Sequence, residues 1–239
     1  MRKQDLWLCI LLLFVLGGLR AEPSPELAVL DQARTRQGDV RVESLIEVWE
    51  AGELLRSSAF EVYVGAGRRS LALARSGREA GQKVLMLDDQ FWLFLPASQR
   101  PIRITPMQKM LGEASIGDIA SLRWQEDYRI VNRQSEQETL WLTLEAARVG
   151  LSYQRVELQV RADDYAPLSA RFYLTSGKLA KTAAFELDEA GGELTVSRMT
   201  LTDEVIGDEV THIHYQGVTE VDIPERWFSP AFLARNPID

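Results

Sequence analysis

Between Val40 and Val218 the chain alternates apolar and polar side chains with a period of two, in short runs broken by turn residues. Val40, Val42, Ile46 and Val48 alternate with Arg41, Glu43 and Glu47, and Val156, Leu158 and Val160 with Glu157, Gln159 and Arg161. Successive side chains of a strand point to opposite faces, so this pattern builds a sheet with one apolar and one wetted face. Ala51-Gly52, Gly65-Ala66-Gly67, Ser76-Gly77, Asp88-Asp89, Asp163-Asp164, Ser176-Gly177 and Gly191-Gly192 punctuate the runs. Short strands joined by such turns make an antiparallel sheet, closed or strongly curved. The fold class read from this is all-β with few helices. No repeat, low-complexity tract or polar linker interrupts it, so residues 22–239 read as a single domain.

Four stretches depart from the alternation. Ser24-Pro25-Glu26 is a helix start, with serine as cap and proline in the first turn, and Leu27, Leu30 and Ala33 carry a helix over 25–37. Residues 91–95, Phe-Trp-Leu-Phe-Leu, are apolar on both faces. Either the helix at 25–37 covers the second face, or the strand lines an apolar cavity. Residues 105–123 read as an apolar helical insertion. Met107, Met110 and Leu111 share a face, Gly112 and Gly117 bound a break, and Asp118 starts a second turn through Ile119 and Leu122. Unbranched methionines adapt to irregular ligands, although a helix that simply plugs a sheet has the same pattern. The tail Ile223–Pro230 folds back as a turn or short helix, with Trp227, Phe228 and Phe232 as anchors.

Residues 1–21 have the form of a secretory signal peptide: Arg2 and Lys3, an apolar run from Leu6 to Leu16, Gly17-Gly18, and a small residue at Ala21. Cutting after Ala21 takes 21 of the 239 residues and leaves 218; Arg2, Lys3, Arg20 and Asp5 go with it, so the net charge moves from −8 to −10. The only cysteine, Cys9, lies inside the apolar run and leaves too, so neither disulfides nor thiol chemistry are expected of the mature chain. An exported protein this acidic is poorly suited to nucleic acid or to anionic lipid surfaces. Membrane contact is expected to be transient only, and the chain to be a monomer.

Residues for catalysis are sparse. Nucleophile elbow, phosphate loop, dinucleotide fingerprint and metallohydrolase helix are all missing from the sequence. His212 and His214, at i and i+2, share a strand face that a metal could use, but no third ligand is evident and half-exposed strand histidines read the same way. Asp88-Asp89 and Asp163-Asp164 could pair carboxylates for glycoside chemistry, yet each sits where a turn is expected and aspartate forms turns. The expectation is a protein that is not an enzyme, with no catalytic residues, no metal and no cofactor.

One block is distinctive. Lys83–Pro96 reads Lys-Val-Leu-Met-Leu-Asp-Asp-Gln-Phe-Trp-Leu-Phe-Leu-Pro; Arg100–Gln108 and Gly112–Ala120 follow, and later Tyr165-Ala166-Pro167 and Phe172–Leu179. These segments resemble the LolA-like outer-membrane lipoprotein-sorting proteins, in particular their uncharacterised periplasmic branch. The resemblance implies a half-open antiparallel β-barrel of about 11 strands with an N-terminal helix and a short helical lid insertion over an apolar cavity. It implies a periplasmic carrier that shields the acyl chains of a lipoprotein or lipid on the way to the outer membrane. It also implies an inner-membrane exporter of the resistance-nodulation-division type as partner. On this reading Trp92, Phe94, Met107, Met110, Leu111 and Ile116 bind the lipid, with Phe91, Leu93 and Leu95 replacing the first pair if the strand parity is inverted. Gly112 and Gly117 hinge the lid, and Arg100 and Arg103 tether it, bind a headgroup or sit in solvent. A non-catalytic envelope adaptor that binds a protein partner is the alternative.

Overall fold

The computed structural model describes residues 24–33, 38–98, 100–104, 122–190, 193–205, 207 and 209–238. The expected signal peptide and the insertion at 105–121 lie outside them, and with the latter Met107, Met110, Leu111, Gly112, Ile116 and Gly117.

Helix α1 (Pro25–Gln32) precedes β1 (Val40–Glu50), β2 (Glu53–Gly65), β3 (Arg69–Ala74), β4 (Lys83–Leu87), β5 (Gln90–Phe94) and β6 (Ile102–Ile104). After the one-turn helix α2 (Trp124–Asp127) come β7 (Tyr128–Glu136), β8 (Thr139–Ala146), β9 (Arg155–Arg161) and β10 (Pro167–Tyr173). Strands β11 (Leu179–Ala190), β12 (Glu193–Asp203) and β13 (Glu209–Glu220) follow, then a 3-10 turn (Glu225–Phe228) and α3 (Pro230–Leu233). The strands make one antiparallel sheet in the order β6-β5-β4-β3-β2-β1-β13-β12-β11-β10-β9-β8-β7, open between its edges β6 and β7. The 13 strands exceed the expected 11, and the runs on either side of Ala51-Gly52 are two full-length paired strands. Both turn residues have positive φ, 50° and 84°, as a tight hairpin requires.

The two halves of the concave face differ. On β8–β12 it is solid: Leu142, Leu144, Val156, Leu158 and Phe172 are fully buried, and Ala183, Met199 and Leu201 nearly so. Leu27 and Leu30 of α1 pack into this same cluster with Trp124, Tyr128 and Tyr153. Each such fully buried side chain contributes roughly 1.5–3 kcal/mol. Polar contacts fix the helix in place. Arg133 of β7 pairs with Glu26 at 2.8 Å, and the Val196 amide donates to the Ala33 carbonyl at 3.0 Å. The Asp31 carboxylate accepts the amides of Trp124 and Gln125 at 2.8 and 3.1 Å, capping α2 from α1. Ser24 does not cap α1: its hydroxyl donates to the Glu26 carboxylate, although its carbonyl accepts the Ala28 amide.

The convex face of β2–β5 carries a second cluster. Tyr63, Leu71, Leu73, Leu85 and Phe94 pack there against Ile223, Phe228 and Leu233 of the tail. Trp227 meets Tyr63 edge-on at 5.0 Å, and Arg69 stacks on Phe228 while binding Glu225 at 2.6 and 2.7 Å. Lys83 donates to the carbonyls of Leu233 and Asn236, both at 2.8 Å, satisfying the end of α3. The tail therefore folds back as expected, onto the outside of the sheet.

Candidate functional site

On β1–β5 the concave face encloses a cavity of about 720 Å³. Its wall follows strand parity. Val42, Ile46 and Val48 of β1 line it, as do Phe60, Val62 and Val64 of β2, Ala72 of β3, and Val84 and Met86 of β4. Six of the wall residues (Ile46, Phe60, Val62, Val64, Val84 and Leu93) are only half-buried. Ile213 and Leu122 belong both to the solid cluster and to the cavity wall, so the cavity continues the core without its filling.

The parity of β5 corrects one expectation. Leu87 pairs with Gln90 across the two-residue turn Asp88-Asp89, so Met86 lies opposite Phe91 and Val84 opposite Leu93. Directly opposed residues share a face, and a two-residue turn exchanges even for odd numbers. Phe91 and Leu93 therefore line the cavity, and Ile104 joins them across β6. Trp92 and Phe94 face away and pack with the tail. Phe-Trp-Leu-Phe-Leu is apolar on both faces because the cavity lies on one side and the tail on the other. Helix α1, one of the two covers considered, buries Leu27 and Leu30 in the solid half and only borders the cavity with Ala28, Asp31 and Gln32. Arg100 and Arg103 are exposed, and Arg103 stands opposite Trp92 in the ladder.

The cavity is polar at one end. Arg56, Ser58, Glu79 and Gln82 line it there, beyond Val48, the ladder partner of Arg56. Ser58 and Glu79 are both buried, and the Ser58 hydroxyl donates to Glu79 Oε2 at 2.5 Å. The connection between β3 and β4 folds across this end. The amides of Arg75 and Ser76 donate to the Ala59 carbonyl at 2.7 and 3.4 Å, and the Ala59 amide donates to Ser76 Oγ at 2.9 Å. Gly77 makes this approach feasible: its φ is +80°, and a Cβ would strike Ser58 and stand 2.7 Å from the Ser57 carbonyl oxygen.

The opposite end is held by ion pairs between the two halves of the sheet. The Asp127 carboxylate is fully buried and takes Arg68 at 3.0 Å, Arg148 at 2.6 Å and the Arg123 amide at 2.8 Å. Arg148 also pairs with Asp89 in the β4–β5 turn. Burial disfavours the Arg148 cation, but the Asp127 and Asp89 carboxylates outweigh it and hold its pKa above the ordinary value. The group joins the turns of β2–β3 and β4–β5 to α2 and the β8–β9 connection, across the opening of the sheet. Nothing in the sequence around Trp124–Asp127 signals it.

Other candidate residues make local contacts. Asp88, with φ +51°, and Asp163-Asp164 sit in hairpin turns, and Asp164 pairs with Arg161. His212 Nδ1 lies 2.9 Å from Thr200 Oγ1, and His214 Nε2 lies 3.2 Å from Glu47. Burial, with smaller contributions from Arg198 and His214, holds His212 below its ordinary pKa. Among the described residues no group of three or more His, Cys, Asp or Glu could hold a metal ion.

A family model described as an uncharacterized protein matches residues 67–235. A LolA superfamily protein from Nitrosomonas europaea is 26% identical, with a TM-score of 0.74 over 85% of this chain and 96% of that one. The chain belongs to the LolA-like family. A putative outer membrane lipoprotein-sorting protein domain from Vibrio parahaemolyticus, 19% identical, has the same fold, with a TM-score of 0.69 over 88% of this chain and 97% of that one. No curated protein matches. The LolA-like architecture expected from Lys83–Ala120 is the one observed: mostly β, with few helices, in one open antiparallel sheet.

Proposed function

We propose that this LolA-like protein is a non-catalytic periplasmic carrier that shields acyl chains of a lipid or lipoprotein during transfer toward the outer membrane. One observation carries the reading: half of the concave face is apolar yet unfilled by the core, over about 720 Å³. That volume falls within the roughly 300–1,000 Å³ of ligand sites. The wall from Val42 to Val48 spans about 20 Å at roughly 3.3 Å per residue, the length of an extended acyl chain. Each methylene transferred into it is worth about 0.8 kcal/mol. A chain held by such contacts is retained in water and released to any acceptor that offers an equally apolar environment.

The residues proposed to face the ligand are Phe60, Val62, Met86, Phe91 and Leu93, together with Met107, Met110, Leu111 and Ile116 of the proposed lid insertion. Gly112 and Gly117 are its proposed hinges and Arg100 and Arg103 its proposed tethers. The proposed donor-side partner is an inner-membrane exporter.

The test is mass spectrometry of the protein isolated from its own periplasm without detergent, intact and after solvent extraction. A stoichiometric acylated species is expected, and Val62→Asp should abolish it while the protein stays folded. An empty protein that also takes up no acyl chain in vitro would overturn the carrier reading and favour the adaptor.

A further inference from the structure

Two neighbouring hairpin tips at one end of the sheet expose apolar side chains that line neither the core nor the cavity. The β1–β2 tip presents Leu54 and Leu55, 47% and 54% exposed, and the β12–β13 tip presents Val205, 47% exposed. The tips lie side by side, because β1 pairs with β13 and Glu50 stands opposite Glu209. Val48 lines the cavity, so Trp49 beside it faces outward. Leu54 stands opposite Trp49, and Trp49 opposite Val210, which makes an apolar row across the convex face. The tail covers that face only over β2–β5. Leu55 is exposed by the register: Arg56 pairs with Val48 but Leu54 with Trp49, so Leu55 is the extra residue of a β-bulge. Bulges re-aim side chains in this way.

Exposed apolar side chains with a polar rim mark contact surfaces. Here the rim is acidic. Glu50, Glu53 and Glu204 are exposed on the two tips, and Glu209 is half-buried at the start of β13. The basic groups nearby are set back from the tips: Arg56 lines the cavity, and Arg78 of the β3–β4 connection lines a pocket with Leu55 and Glu209. The charge selects the occupant. An anionic bilayer would be repelled by these carboxylates. A second copy docked through the same patch would set carboxylate against carboxylate, since an isologous contact places a surface on itself. A basic segment meets them with complementary charge.

We propose that the paired hairpin tips are a docking surface for a basic, amphipathic segment of a partner protein. The apolar side chains of that segment cover Leu54, Leu55 and Val205, and its lysines or arginines meet Glu50, Glu53 and Glu204. The inference goes beyond the carrier reading and does not depend on it, because Leu54, Leu55 and Val205 are outside the cavity wall.

The test is site-specific photo-crosslinking in the protein's own cells. A photoreactive phenylalanine analogue is placed at position 54, at position 55 or, as a control, at position 131. Val131 is 51% exposed on β7 but lies between Arg129 and Arg133. Positions 54 and 55 should give an adduct with another protein, mapping to a peptide of net positive charge that carries apolar residues, and position 131 should not. A synthetic copy of the mapped peptide should bind the purified protein, more weakly as salt is raised. Combining Glu50→Lys with Glu53→Lys should weaken that binding by about tenfold or more. Combining Leu54→Ser with Leu55→Ser should weaken it to a similar degree. Both variants should unfold at the urea concentration of wild type, since the changed side chains are exposed. Acyl-chain uptake should also match wild type in both, which separates this surface from the cavity. No protein adduct from 54 or 55, an adduct with lipid or with a second copy, or peptide binding that survives the charge reversal would overturn the docking surface.

Discussion

The two halves of the concave face are built from the same alternating strands, and they end differently. On β8–β12 helix α1 and the aromatic side chains Trp124, Tyr128 and Tyr153 fill the curve, and residues such as Leu144 and Phe172 are fully buried. On β1–β5 no described helix fills the curve: α1 only borders the cavity with Ala28, Asp31 and Gln32, and Phe60, Val62 and Leu93 stay half-buried around it. An apolar face is stabilising only when it is covered. The first half obtains its cover from the protein, and on the proposed carrier reading the second leaves that role to a ligand. The tail compensates from outside: it buries the convex face of β2–β5, so those strands are anchored without their inner face being filled.

The contrast can be broken at its strongest points first. Asp127→Ala removes the buried anion that joins the halves and leaves Arg68 and Arg148 facing one another. It should cost about 3–5 kcal/mol in urea unfolding. Phe172→Ala in the solid half should cost a similar 3–5 kcal/mol, because its surroundings are packed on every side. Gly77→Ala is expected to cost about 1–3 kcal/mol, from the positive φ and the collision with Ser58, and to open the polar end of the cavity. Phe60→Ala should cost only about 1 kcal/mol or less, since its site is already a cavity, while weakening acyl-chain binding. Similar unfolding costs for Phe172→Ala and Phe60→Ala would mean that the two halves are packed alike.

The smallest effect is on pH. Burial disfavours the Glu26 carboxylate, but Arg133 and Ser24 outweigh it and hold its pKa below the ordinary value. A carboxyl with a lowered folded pKa stabilises the fold above its unfolded pKa, and this is lost as pH falls through the folded one. The acid limb of the stability profile should therefore flatten slightly in Arg133→Gln. An unchanged acid limb would show that the Glu26 tether of α1 carries no stability.

Period-two alternation made the sheet legible. Every run it marked is a strand, because alternation reports a half-wetted face directly. The tail anchors Trp227, Phe228 and Phe232 were readable as an aromatic cluster after the last strand. The face of β5 was not readable from 91–95 alone, since apolar residues on both sides carry no parity. The signal was one step earlier: accepting Asp88-Asp89 as a two-residue turn forces Phe91 opposite Met86 and Leu93 opposite Val84. The polar end stayed hidden for a different reason. Arg56 and Ser58 look like the wet positions of an ordinary strand until the register sets them opposite Val48 and Ile46, on the face of Phe60 and Val62. Asp127 gave no signal, because its partners come from turns 59 residues upstream and 21 residues downstream in the chain.

The most direct test of the account is photo-crosslinking of the mature protein with an acyl chain that carries a photoreactive group near its end, followed by peptide mapping. The account predicts adducts on inward residues of β1–β5, such as Val62, Met86, Phe91 and Leu93, and none on the inner face of β8–β11. Adducts concentrated on the solid half, or on Trp92 and the tail, would contradict it.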